Sequence, residues 1–172
     1  MDKQTLEKQT LEKLKLQEAA LTFTHFDADL AWQIGYRIRE LAVSRGQTVA
    51  IEIGLTGQDL FYCAMPGTAP DHKEWLRRKR NTVQRYHKSS YRVGIELRQQ
   101  QTTLTEKTGL PLCDYACHGG CVPIHIKGAG QSHSIVVGTI AVSGLPERAD
   151  HELAIEAIAA VIGLDYQSLA LD

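Results

Sequence analysis

The chain has no run of about 18 consecutive apolar residues, and its opening stretch, MDKQTLEKQTLEKLKLQEAAL, carries charge throughout where a signal peptide would be apolar. A soluble, cytoplasmic protein without a membrane partner is expected. An excess of charge is also lacking: 19 Lys and Arg stand against 20 Asp and Glu, a net charge of −1. That balance gives no global attraction to nucleic acid or anionic lipid, and no nucleic-acid partner is expected. Cysteine is scarce, with four residues at 63, 113, 117 and 121, and without a secretory leader they read as reduced thiols. No glycine-rich phosphate loop appears, and no nucleophile stands beside a recognisable base. P-loop chemistry and triad-type hydrolysis are therefore set aside.

What is present suits one globular core. The 172 residues are 43% hydrophobic and 23% charged, long enough to bury most of one core and too short for two full domains. KQTLE occurs twice in succession, at 3–7 and 8–12. With Leu6, Leu11, Leu14 and Leu21 it predicts a leading helix, either frayed or offering a face to a partner. LTFTHF alternates like a short edge strand. Asp27 is placed to cap a helix carrying Leu30, Ile34, Ile38 and Leu41 at helical spacing, with Gly46 as its stop. Residues 48–53 and LFYCAM read as a hairpin around 54–59. Residues 71–100 read as two helices broken near Ser89 and Ser90.

VPIHIK and SIVVGTIAV form a second strand pair about the turn at 128–130. The latter is apolar on both faces and so should be central, whereas Pro123 cannot donate to a ladder and places VPIHIK at an edge or a bulge. Ile155, Ile158 and Ile162 mark a last helix ending at Gly163. Paired strands separated by helices, without strict βαβ alternation, point to an α+β fold with a mostly antiparallel sheet. The expected organisation is an N-terminal helical extension over 1–20 and one domain over 21–172.

Two segments could carry chemistry. Between 71 and 92 eight Lys or Arg face only Asp71 and Glu74. On a helix Arg77, Arg78, Lys79 and Arg80 spread around the cylinder, which suits either a solvated helix or, through some of its members, a carboxylate or phosphate pocket. The second is the cluster Cys113, Cys117, His118, Cys121 and His125. Thiolates and imidazoles suit zinc or iron, but the spacing is C-x3-C-x3-C, and an extended 117–121 would separate two sulfurs by about 13 Å at roughly 3.3 Å per residue. No metal site is expected, and apolar packing of small cysteines is the plainer reading. Gly119 and Gly120 permit a sharp bend or a close approach. Asp150, His151 and Glu152 stand together at a helix start, where capping accounts for them and no dyad is formed, because consecutive helical residues do not face each other.

Three segments together, WLRRKRNTVQRYHKSSY at 75–91, HGGCVPIHI at 118–126 and VSGLPERADHELAIEAI at 142–158, resemble the haem-degrading, HbpS-like (GlcG-like) family, and LAWQIGYRI at 30–38 extends the likeness. The resemblance implies a profilin-like fold, a mostly antiparallel sheet of about five strands with helices on its faces, assembled as a homo-oligomer, dimer or larger. It also implies binding of a small anionic molecule, with haem as the candidate cofactor. The ligand-binding residues so implied are Arg77, Arg78, Lys79, Arg80, Asn81, Tyr86, His87, Ser89, Ser90, Tyr91, His118, Gly119, Gly120, Cys121 and His125. Cys121 departs from the family's pattern, whose glycine turn more often continues with glycine or an apolar residue. Three functions stay open: a small-molecule binding module, an enzyme of haem or oxidative breakdown, and an assembly protein. The first requires the arginine-rich stretch and the glycine bend to meet in space.

Overall fold

The structure is a computed structural model that describes residues 3–171; Met1, Asp2 and Asp172, which fall within the expected extension and domain, lie outside the described residues. Helix α1 (Lys3–Ala20) runs directly into the two-residue strand β1 (Thr22–Phe23). Asp27 then accepts a hydrogen bond of 2.9 Å from the Leu30 amide, satisfying one of the donors orphaned at the start of α2 (Ala28–Ser44). Next come β2 (Ala50–Leu55) and β3 (Gln58–Ala64), whose ladder continues to Leu55 and Gln58, so the hairpin turn is tighter than the sequence pattern suggests.

Helix α3 (Pro70–Tyr86) starts with proline, which has no amide hydrogen to lose at a helix N-terminus. His87, at φ 52°, ends it. Ser89, whose hydroxyl accepts from the Arg92 amide at 3.2 Å, opens α4 (Ser90–Gln99). The break therefore falls where the two serines predicted it. The short α5 (Leu104–Thr108) follows, then β4 (Cys121–Ile126), β5 (Ile135–Ser143), α6 (Glu147–Ile162) and α7 (Tyr166–Leu169). The short helices α5 and α7 have too few residues for a periodic signal, and sequence reasoning missed both.

One five-stranded sheet has the order β1-β4-β5-β2-β3. Every pairing is antiparallel except β1 with β4. The expected α+β fold with helices on both faces is thus what the structure shows, and β5, apolar on both faces, is its central strand. Ala50, Cys121 and Ala141 pack under Leu76 and Val83 of α3 on one side. Ile51, Ile53, Ile140 and Val142 meet Ile34 and Ile38 of α2 and Ile155 and Ile158 of α6 on the other. Pro123 predicts an edge or a bulge, and the first requires correction: β4 is not an edge strand, but its ladder with β5 does shift register, between Ile124 and His125. The proline is tolerated because β1 pairs only with His125 and Ile126, and the register shifts between Ile124 and His125, so nothing in β1 pairs with residue 123.

Helix α1 is tied in by its second half. Leu11 and Leu14 pack with Tyr91, Ile95 and Leu171. Gln17 is buried, its amide nitrogen donating to the Leu169 carbonyl at 2.8 Å while its oxygen meets His151 Nε2 at 2.8 Å. Since the Gln17 oxygen is the acceptor, His151 carries its proton on Nε2.

Candidate functional site

Helix α3 distributes its basic side chains to different tasks. Lys79 points inward, with its side chain 3% exposed, and its ammonium donates to the Val142 carbonyl at 3.0 Å and to Asp150, itself 2% exposed, at 2.9 Å. Asp150 also accepts from the Leu145 amide at 2.9 Å. Burial pushes the Asp150 carboxyl above its ordinary value, while the Lys79 ammonium and the Leu145 and Gly144 amides pull it back down. These bonds fasten α3, the end of β5 and the start of α6 to one another. Because removing one partner strands a buried charge, the pair is structurally expensive to break.

The glycine bend is pressed against this ion pair. A Cβ at Gly119 would collide with the Glu147 carbonyl, and one at Gly120, whose φ is 119°, would collide with the Val142 carbonyl and come within 2.7 Å of Lys79 Nζ. Only glycine fits the approach. The bend turns His118 outward onto Trp75, ring centroids 5.1 Å apart and nearly perpendicular. The Trp75 indole donates to Asp71 at 3.1 Å, and the Arg78 guanidinium lies 4.0 Å over the indole ring.

His118 and Trp75 form a wall shared by two openings. On one side is a cleft of about 250 Å³ floored by Lys79 and Asp150 and bordered by Asp71, His72 and Glu147. On the other is a groove of about 320 Å³, mainly apolar through Leu97, Leu104 and Leu112, with Arg78 and Arg98 at it. Burial holds the His118 imidazole below its ordinary pKa, with Glu147 pulling the other way, so the ring is neutral near pH 7 and keeps a lone pair for a ligand. One Glu147 carboxylate oxygen is buried without a hydrogen-bond partner, and the other reaches Arg98 at 3.3 Å.

Of the residues the sequence singled out, Arg78, Lys79, His118, Gly119 and Gly120 meet here. Arg77 and Asn81 buttress the neighbouring loop: Arg77 binds Glu74, Asp114 and the Cys113 carbonyl, and Asn81 donates to the Asp114 carbonyl at 2.9 Å. Arg80 pairs with Glu52 on the sheet. Tyr86 packs against Val93, Leu97 and Leu104, and Tyr91 against the α1 cluster. The Ser89 amide donates to Glu18, and Ser90 exchanges hydrogen bonds with the Cys121 backbone. His87 is the exposed end of α3. His125 faces a separate small cavity bordered by Glu18, Leu21 and Phe23.

Cys63, Cys117 and Cys121 are packing groups in this arrangement, and Cys113 is exposed. Burial pushes the Cys121 thiol up to about 12 and the Cys117 thiol up to about 11, values at which neither offers a thiolate near neutral pH. Among the described residues, no group of three or more His, Cys, Asp or Glu is arranged to hold a metal ion. Asp150, His151 and Glu152 point to three different partners, namely Lys79, Gln17 and Arg148. Sequence reasoning missed Arg98 and the carboxylate of Glu147 as site residues. It also passed over Trp75, although a tryptophan three residues before Arg78 on one helix face was a readable signal.

A five-stranded α+β sheet with helices on both faces, and a glycine bend locked against a helix, defines a recognisable class. The family model for haem degrading protein HbpS-like matches residues 26–159, and the chain belongs to that family. A UPF0303 protein of Acidobacterium capsulatum is 53% identical over 155 residues, 90% of this chain and 91% of the relative. One from Paraburkholderia phymatum is 52% identical over the same shares. Among solved structures, the Ybr137w protein superposes with a TM-score of 0.79 at 29% identity, covering 95% of this chain and 98% of its own. A PduOC:heme complex has a TM-score of 0.65 at 19% identity, covering 78% and 94%, and shares the fold.

Proposed function

We propose that this protein binds a planar, anionic small molecule, with haem as the candidate, at the wall formed by His118 and Trp75, and that it works as a self-associating binding module. The observation that carries this reading is the neutral, accessible imidazole of His118, shared between an apolar groove and a polar cleft, with two guanidiniums at the groove. The residues fit a haem group: Leu97, Leu104 and Leu112 offer an apolar seat, Arg78 and Arg98 match carboxylates, and the His118 imidazole is an iron ligand type. A groove of this volume lies at the lower end of ordinary ligand sites. Haem, when bound, supplies the redox and oxygen chemistry. The chain's own residues bind, orient and partly shield it. The WLRRKRN helix segment and the HGG turn are, on this reading, the two halves of one ligand wall.

The family match and the fold shared with a haem complex support the same ligand class. Titration with haemin is expected to give a saturable Soret shift. His118→Ala should weaken it by about tenfold or more and change the band position, with a smaller loss for Arg78→Ala. A featureless response that no substitution alters would overturn the reading.

A further inference from the structure

The side of the molecule carrying α2 and β3 has no role in the ligand wall, yet it has the largest exposed aromatic surface. Strand β3 is the outer strand on its side of the sheet and is seven residues long, whereas the opposite edge is the two-residue β1. A long open edge is a template for pairing, and proteins normally blunt it with charges, proline or a cover. In β3 only Asp59 is charged; the edge is partly blunted by a register shift at Leu60 and by the Lys73 ammonium, 5.6 Å from the Tyr62 ring centroid, so the exposed aromatics of α2 are the stickier part of this side. Beside that edge, α2 presents Trp32, 62% exposed, and Tyr36, 53% exposed, and the Trp32 ring packs edge-on against Phe61 at 5.7 Å. Tyr62, 47% exposed, lies on the same strand.

The exposed stripe of α2 is self-complementary. Asp29, Trp32, Tyr36 and Arg39 fall on one helix face, all exposed. About Ile34, Trp32 and Tyr36 flank the centre symmetrically, and so do Asp29 and Arg39, which carry opposite charge. Laid antiparallel against its own copy, the helix therefore sets aromatic on aromatic and Asp29 on Arg39. Among the described residues neither Asp29 nor Arg39 forms an ion pair within the chain, while Arg37 is taken by Glu40. Phe61 of β3 lies against this stripe, its ring centroid 5.7 Å from that of Trp32.

We infer that this face docks a second copy of the same chain, α2 laid antiparallel to α2. A foreign partner would have no reason to be mirrored by a stripe that reads alike in both directions; an isologous contact demands it. The inference rests on the self-association part of the proposed function and is independent of the ligand.

Sedimentation equilibrium of the full chain tests it. Trp32→Glu is expected to raise the dimer dissociation constant by about 100-fold, because it removes a central aromatic anchor. Asp29→Arg and Arg39→Asp should each raise it by about tenfold, and the double reversal Asp29→Arg/Arg39→Asp should return it to within about threefold of the parent. All these positions are exposed, so the far-UV spectrum should be unchanged, and recovery in the double reversal separates docking from folding. An assembly insensitive to all four variants would overturn this face while leaving self-association standing. A parent chain that stays monomeric at about 100 μM, a concentration at which a contact of this kind associates, would overturn both.

Discussion

His118 and His125 lie seven positions apart on either side of the start of β4, and partial desolvation lowers the pKa of both, His118 being exposed and His125 half-buried. Their surroundings nevertheless differ in kind. His118 stands over the Lys79–Asp150 ion pair, beside Trp75 and Glu147, at two openings to solvent. His125 meets Ser134 through Nδ1 at 3.1 Å, and its Nε2 is buried without a partner in a cavity of about 10 Å³ lined mostly by apolar side chains. A ring beside a paired charge and an open cleft is equipped to receive a ligand. A ring enclosed by Leu21, Phe23 and Ile155 has room for about one water at most. A shared direction of pKa shift therefore says little about a histidine's use, and access says a good deal.

The sharpest way to break this contrast is to remove the charges beneath His118. Lys79→Met should cost about 3–5 kcal/mol in urea unfolding, because Asp150 is left buried and unpaired, and Lys79→Met with Asp150→Leu should recover much of the loss. Equal destabilisation by the single and double variants would show that the pair is not acting as a unit.

The neutral histidine of the other region gives a pH signature of comparable size, spread over several pH units. Burial drives His151 from an ordinary value of 6.5 down to about 3. The unfolded chain then takes up a proton that the folded chain refuses, so stability is fully present above about pH 6.5 and falls as pH drops towards 3. The expected slope is about 1.4 kcal/mol per pH unit across that window, and the lowered pKa values of His118 and His125 act in the same direction. Urea midpoints measured from pH 7 to pH 4 should show a flatter slope for His151→Gln than for the parent; parallel slopes would remove His151 as the cause.

The smallest effect is expected at His125. His125→Leu removes an orphaned nitrogen and one partly exposed hydrogen bond, so its stability change should stay within about 1 kcal/mol and haemin affinity should be unaltered. A loss of affinity matching that of His118→Ala would erase the distinction between the two regions.

The sheet, the breaks at Ser89 and at the 54–59 hairpin, the central placing of SIVVGTIAV and the capping role of Asp27 were all legible, because each rests on local periodicity or on a backbone preference that acts within a few residues. The presence of a basic helix and a glycine bend was legible for the same reason. What the bend was for could not be read, since Gly119 and Gly120 are required by the Glu147 and Val142 carbonyls, which arrive from distant parts of the chain.

The sequence by itself determined the longer elements and their order in the α+β fold, through spacing of apolar residues and the chemistry of caps and turns. Only the tertiary structure decided which of the four adjacent basic side chains at 77–80 is buried against Asp150, which lies over Trp75 and which binds the Asp114 loop. It also decided that His118 stands at two open clefts while the Nε2 of His125 faces a cavity of about 10 Å³. The physical reason is that a helix radiates its side chains in all directions, and their fates depend on neighbours brought up by the sheet from far along the chain, which no local pattern encodes.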